Sequence, residues 1–329
     1  MNAIYWFRND LRLEDQPSFK NACTQAARLA PVFIHDSDYD APTRWGFERM
    51  GPHRKYALHS ALQALKSQLH DRQSDLLVYQ GDPVDTLIEL AKIFSAKAIF
   101  CEEIAAPEEQ QQVARLRKAG LTVNTLWHSS LLALSELPFA PKQMPLVFTE
   151  FRVAVEKSKV AVQAPEAAVK VVPPLPEGFV HYRTIDSDQT SLLPSEPFSS
   201  FKSLDSAQSV DSSPSLDLPL PSEALVSVES LASRSFAQLD TRSSLTFLAA
   251  HDFAGTQGGL RHAQQYFERK LAHSYKATRN QLSGLDYSTK FSVWLASGAL
   301  SGRMLYQQLQ AFEGEYGAND GSYWIWFEL

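Results

Sequence analysis
The chain has 329 residues, room for two domains. Its net charge of −6 and pI of about 5.9 exclude a generic polyanion binder, so any nucleic-acid contact must be local. With 44% hydrophobic and 11% aromatic residues it can bury a sizeable core. Cys23 and Cys101 lie in or beside apolar runs, which implies no disulfide framework and suits a reducing compartment. No apolar run approaches the length of a membrane span and the N-terminus lacks a signal-peptide pattern, so a soluble cytoplasmic protein is expected.

In chain order, Ala3–Phe7, Ala30–Ile34, Leu76–Tyr79, Ala98–Cys101 and Leu121–Val123 read as strands. They are short continuous apolar runs, as strands covered on both faces require. Amphipathic helices alternate with them: Tyr56, Leu58, Leu62, Leu65 and Leu69 share one face, and Val84, Leu87, Ile88, Ala91 and Phe94 another. This alternation predicts a doubly wound parallel sheet, with ligands near the strand carboxyl ends. Those ends are Phe7-Arg8-Asn9-Asp10, Ile34-His35-Asp36, Gln80-Gly81-Asp82-Pro83 and Glu102-Glu103. No Gly-x-Gly-x-x-Gly follows the first strand and no P-loop is present, which counts against a nicotinamide dehydrogenase and a P-loop ATPase.

The pattern dissolves from about residue 160. Residues 186–235 are rich in Ser, Pro and Asp, which on composition favours a passive linker over a phosphorylation tail. After about residue 245 helical patterns return, over Gly258–Leu271, Ser292–Gly298, Gly302–Phe312 and Ser322–Leu329. The expected organisation is an α/β domain over 1–135, a partly disordered linker over 136–244, and the start of an all-α domain over 245–329.

The stretch Tyr275-Lys-Ala-Thr-Arg-Asn280 and Asp286-Tyr-Ser-Thr-Lys-Phe-Ser-Val-Trp-Leu295 concentrates hydroxyls and cations. Ser288, Thr289 and Ser292 can donate hydrogen bonds and Lys290 adds a point charge. A helix beginning near Ser288 would aim free N–H groups at the same spot, making an anion site. Alternatively, Ser288 or Thr289 is a plain helix cap. Tyr275-Lys276 and Arg279-Asn280 favour a phosphate of a cofactor or nucleic acid. Among other polar candidates, His35 reads better as a hydrogen-bonded loop histidine than as a catalyst. No His or Cys pair has metal-ligand spacing, so no metal is expected.

These motifs together resemble the photolyase/cryptochrome family, most closely its DASH-type cryptochromes. The resemblance rests on Tyr5-Trp-Phe-Arg-Asn-Asp-Leu-Arg-Leu13, Val147-Phe-Thr-Glu-Phe-Arg152 with Val155-Glu156, Tyr275–Asn280, Gly284–Ser292 and Tyr316-Gly-Ala-Asn319. It spans nearly the whole chain except the linker, and the combination is highly specific. It implies a Rossmann-like antenna domain followed by a helical FAD-binding domain. It also implies blue-light electron transfer from reduced FAD to cyclobutane pyrimidine dimers, flipped out of the stack and favoured in single-stranded DNA.

Carried over by position, the resemblance assigns Tyr275, Ser288, Thr289, Lys290, Phe291 and Ser292 to FAD, chiefly its phosphates. Arg279 would face the DNA backbone, and Glu328 would hydrogen-bond the flipped pyrimidine. Glu103 matches the carboxylate for a 5,10-methenyltetrahydrofolate antenna, although a solvated acidic loop fits it equally well. Val293 stands where the family has proline, a modest loss of helix preorganisation. Gln16 replaces an asparagine, for which the sequence offers no reading.

Family members continue past the match to Glu328-Leu329 with the flavin-ring contacts and a tryptophan chain. The chain is therefore expected to be C-terminally truncated, to bind FAD poorly alone and to lack repair activity, while the intact form would be a monomer. Trp324 and Trp326 read as helix packing. The alternatives are a photoreceptor signalling through a partner without DNA repair, and a plain nucleotide-binding α/β module.

Overall fold
A computed structural model describes residues 1–178, 226–228, 231, 255–282, 284 and 286–329. The Ser-rich 186–235 stretch assigned to a linker lies outside the described residues, apart from 226–228 and 231.

Strands β1 (Asn2–Phe7), β2 (Arg28–Asp36), β3 (Leu77–Gly81), β4 (Ala98–Glu102) and β5 (Thr122–Leu126) form one parallel sheet in the order β3-β2-β1-β4-β5. All five expected strands are present. Pro31 is tolerated in an inner strand because β3 pairs with β2 only from Val32 onward. Helices α1 (Pro17–Gln25), α2 (Pro52–His70), α3 (Pro83–Ile93) and α4 (Pro107–Lys118) each open on proline, which has no N–H to leave unpaired there. Asp82 caps α3, accepting from the Val84 and Asp85 amides at 2.8 and 2.9 Å.

The strand alternation builds two apolar layers. Ile4, Trp6, Val32, Ile34, Tyr79 and Ile99 pack with α3 and α4. Tyr5, Phe7, Phe33, Val78 and Phe100 pack with α1 and α2, and this second layer runs on into the C-terminal helices through Tyr266, Phe267, Phe291, Trp294, Leu305 and Phe312. The helical residues thus share a core with the sheet instead of hanging from a tether.

Within 136–244, α5 spans Phe148–Ser158 and ends on Lys159 at φ +50°. The chain beyond it follows the sheet: the Asp15 amide donates to the Glu166 carbonyl at 2.8 Å, and the Leu29 amide to the Pro174 carbonyl at 3.0 Å. The C-terminal helices are α6 (Gly255–Glu268), α7 (Tyr275–Thr278), α8 (Ser292–Ser297), α9 (Gly302–Tyr316) and α10 (Asp320–Glu328). Ser301 caps α9 through the Met304 amide at 3.1 Å. A capping box of Asn319 and Ser322 starts α10.

A buried polar seam joins the loop after β1 to these helices. Arg12 donates to the Gly298 carbonyl at 2.9 Å and to the Asp15 carbonyl at 2.9 Å, while the Asp15 carboxylate accepts from Ser301 and Arg303. Asp10 accepts from Tyr5, the Arg8 amide and Gln16 at 2.6, 2.7 and 2.6 Å. Gln16, unexplained by sequence, is therefore a partner of Asp10. Gly298, at φ +68°, sits so close that a Cβ would lie 1.8 Å from the Asn9 carbonyl oxygen.

Candidate functional site
Two places bring chemistry-bearing residues together: the segment 275–292 with the end of α10, and a cavity at the strand carboxyl ends.

In the first, α7 lays Tyr275 and Arg279 against α10. The Tyr275 hydroxyl and the Arg279 guanidinium both donate to the carboxylate of Glu328, 53 and 49 residues away. Arg279 also covers Trp324, with Cζ 4.2 Å from the ring centroid, a cation–π contact. Burial, then the hydrogen bond and charge of Glu328, push the Tyr275 hydroxyl well above its ordinary pKa. Tyr275 is thus buried and engaged. Trp324 and Trp326 are half-buried against the core, as helix packing expects.

The loop carrying the hydroxyls is pinned at three points. Thr278 Oγ1 donates to the Tyr287 carbonyl at 3.0 Å, His262 Nε2 to the Thr289 carbonyl at 2.8 Å, and Arg269 Nη1 to Asp286 at 2.8 Å. Lys290 adopts φ +57° and places Nζ 3.6 Å from the Tyr287 ring centroid. Ser288, Thr289 and Lys290 are half-buried and Ser292 is exposed.

The helix does not begin near Ser288. It begins at Ser292, and its N-cap is Phe291, without a side-chain cap bond. The backbone is bent at Lys290, and buried Phe291 anchors the turn among Tyr266, Phe267 and His262. The helical pattern read over Ser292–Gly298 is thus borne out, while the alternative start near Ser288 and the plain-cap reading of Ser288 and Thr289 are removed. Phe291 offers its backbone only, because its ring is core. Solvent-accessible hydroxyls on Ser288, Thr289 and Ser292 beside Lys290 are a donor set that fits phosphate oxygens.

The cavity, about 540 Å³, opens at the carboxyl ends of β1, β2 and β3 and is closed on one side by α8. Arg8, Asp36, Arg49, Arg54, Gln112 and Ser297 supply its polar wall. Arg8 Nη2 donates to Gln112 at 2.9 Å, Gln112 Nε2 to Asp36 at 3.3 Å, and Arg49 to Glu108 at 2.6 Å. Buried Arg8 Nη1 has no hydrogen-bond partner among the described residues. Burial raises the Asp36 pKa.

Glu103 does not line this cavity. It is exposed, its amide donating to the Leu126 carbonyl at 3.0 Å, whereas Glu102 beside it is 1% exposed, its Oε2 without a hydrogen-bond partner among the described residues. Burial, then the charge of Asp10, push Glu102 up to about 8. Sequence reasoning named the strand ends that meet here, Glu102 among them, but missed Gln112. The burial of Glu102 follows from its closing a fully buried strand. His35 is 1% exposed, with Nε2 3.0 Å from Asp40, in keeping with a hydrogen-bonded structural role.

A family model described as DNA photolyase matches residues 3–171, slightly more than half of the chain. The cryptochrome DASH of Gloeobacter violaceus is 31% identical over 99% of this chain and 57% of its own length. The crystal structure of a Synechocystis sp. cryptochrome superposes with a TM-score of 0.75 at 30% identity, covering 99% of this chain and 59% of that one. An archaeal photolyase from Sulfolobus tokodaii, described with two FAD molecules, matches at TM-score 0.61 and 19% identity, with 99% and 58% coverage; at that identity only the fold is compared. The chain thus spans under three fifths of the length of each of these proteins.

Proposed function
The chain belongs to the DNA photolyase family, and from that premise we propose that the intact protein is a blue-light flavoprotein of the cryptochrome DASH kind, acting on cyclobutane pyrimidine dimers in single-stranded DNA. The observation that carries this reading is the convergence of Tyr275 and Arg279 on Glu328, positions whose matches in the family lie at flavin and flipped base.

Bound FAD would supply the light-absorbing, electron-donating ring. Ser288, Thr289 and Ser292 would donate hydroxyl hydrogen bonds to its phosphates, and Lys290 would add the countercharge. The pinned loop keeps these donors in place before the cofactor arrives, which lowers the ordering cost of binding. Arg279 would exchange part of its pairing with Glu328 for a DNA phosphate. That exchange would free a Glu328 oxygen to accept from an N–H of the extruded pyrimidine, leaving Tyr275 to hold the other oxygen.

The antenna belongs, in this reading, in the cavity, and Glu103 marks only its outer edge through the loop to Ile104, a wall residue. A folate such as 5,10-methenyltetrahydrofolate fits the mixed wall, with Arg8 Nη1 as an unused donor. We assign the protein to a reducing, aqueous compartment such as the cytoplasm, acting as a monomer. Among the described residues no helix is long and apolar enough to cross a membrane.

Repair of a thymine dimer in a single-stranded oligonucleotide by the intact protein, under blue light and in the dark, tests the proposal. Light-dependent repair is expected. Tight flavin binding without repair would replace it with the photoreceptor reading.

A further inference from the structure
Residues 40–50 form a hairpin beyond β2, closed by an antiparallel bridge between Pro42 and Glu48 and by the Thr43 amide donating to the Phe47 carbonyl at 2.7 Å. Its tip turns at Gly46, φ +84°. Trp45 and Phe47 stand 66% and 61% exposed, their rings parallel within 11° and their centroids 6.2 Å apart. The Arg44 guanidinium lies on Trp45, Cζ 4.2 Å from the ring centroid.

We propose that this hairpin tip is a stacking platform for single-stranded nucleic acid, on the α/β domain and separate from the flavin site. Scattered exposed aromatics need no explanation, but a parallel pair clamped by a guanidinium is a preformed planar surface. The cavity does not account for it: Arg49 and Met50 at the hairpin's base line the cavity, while Trp45 and Phe47 do not.

Charge selects the partner. Residues 40–55 carry four cations, Arg44, Arg49, Arg54 and Lys55, against two acids, Asp40 and Glu48, in a chain of net charge −6. Lys55 is taken by Asp40 and Glu48 at 2.6 and 2.7 Å, and Arg49 by Glu108 at 2.6 Å. Arg54 lines the cavity, whereas Arg44 does not and has no acidic partner among the described residues, so it remains for a phosphate beside the Trp45 ring. Flat aromatic faces with adjacent unpaired cations read base planes without reading sequence. A duplex hides those planes, so the partner is single-stranded. The inference goes beyond the proposed photochemistry, since this binding needs neither flavin nor light nor a lesion.

Fluorescence anisotropy with labelled, undamaged oligothymidylate and oligouridylate of about twelve nucleotides, in the dark, tests it on the full chain. The double variant Trp45→Ala, Phe47→Ala should lose on the order of ten- to a hundredfold in affinity. Its thermal midpoint should stay unchanged, because both rings are exposed. Arg44→Ala should lower the salt slope by roughly one. The tighter of the two oligomers identifies the natural nucleic acid. Affinity of the aromatic double variant within about twofold of the parent, or equal binding of a duplex, would overturn the proposal. Loss of all binding in Arg279→Ala but none in the aromatic variant would overturn it too, while leaving the DNA role of Arg279 standing.

Discussion
The carboxylate of Asp15 holds the guanidinium of Arg303 across 288 residues of chain, with Nε 3.0 Å from Oδ2 and Nη2 2.9 Å from Oδ1. Both side chains are buried, so neither can fall back on water. Asp15→Ala should destabilise the protein by roughly 3–5 kcal/mol, because it strands a buried cation and the Ser301 hydroxyl. Asp15→Asn, which keeps an acceptor, should cost less. Urea denaturation followed by circular dichroism checks the order.

Gly298→Ala meets two obstacles, a left-handed φ of +68° and a Cβ 1.8 Å from Asn9 backbone. Gly120, at φ +88° with nothing near its Cβ, meets only the first. Gly120→Ala should therefore cost about 1–2 kcal/mol, and Gly298→Ala clearly more, enough to part the loop after β1 from α8. Thermal midpoints of the two variants measured side by side give the comparison.

Two buried groups set opposite pH limbs. Glu102 titrates near 8 in the fold against an ordinary 4.5, so its contribution to stability is full below 4.5 and lost as pH rises to about 8. His128 is lowered by burial from 6.5 to about 4, so stability is lost as pH falls through that window while the unfolded chain takes up the proton. Arg12 Nη2 lies 3.3 Å from His128 Nδ1, a contact that needs the neutral ring. Stability should peak between the limbs. Glu102→Gln should flatten the alkaline limb and raise the thermal midpoint at pH 8 but not at pH 5.

Ser288→Ala and Ser292→Ala, made in the intact protein, should each weaken FAD by roughly ten- to a hundredfold if the hydroxyl donates to a phosphate, the effect of losing one hydrogen bond to a charged group. Because neither serine caps α8, helix content should not change. Flavin fluorescence titration separates these outcomes.

Glu328→Gln should lower the Tyr275 ionisation toward its ordinary range, since it removes the carboxylate charge. Burial, the larger cause, remains, so the shift should be incomplete. Tyrosinate absorbance during alkaline titration, against Tyr275→Phe as the blank, reads it directly.

Strand existence and order of elements were legible because inner parallel strands need unbroken apolar runs such as Ala3–Phe7 and Ala98–Cys101. Helices α9 and α10 were placed to within a few residues by their apolar spacing. The start of α8 at Ser292 was legible too, but the cap reading of Ser288 and Thr289 failed, because both have the right chemistry for a cap and nothing local reveals the bend at Lys290. The role of Gln16 and the burial of Glu102 stayed unread for a related reason. Their meaning lies in Asp10, and only the closed sheet brings that residue to them.

The sequence by itself determined a parallel α/β sheet, a helical region after it, and a family signature, because these depend on residue type at short spacing. Tertiary structure decided that Tyr275 and Arg279 share Glu328, that Asp15 clasps Arg303, and that Trp45 and Phe47 face solvent. Those outcomes follow from which distant segments share a buried core, where desolvation forces each charge to find whatever partner the packing presents.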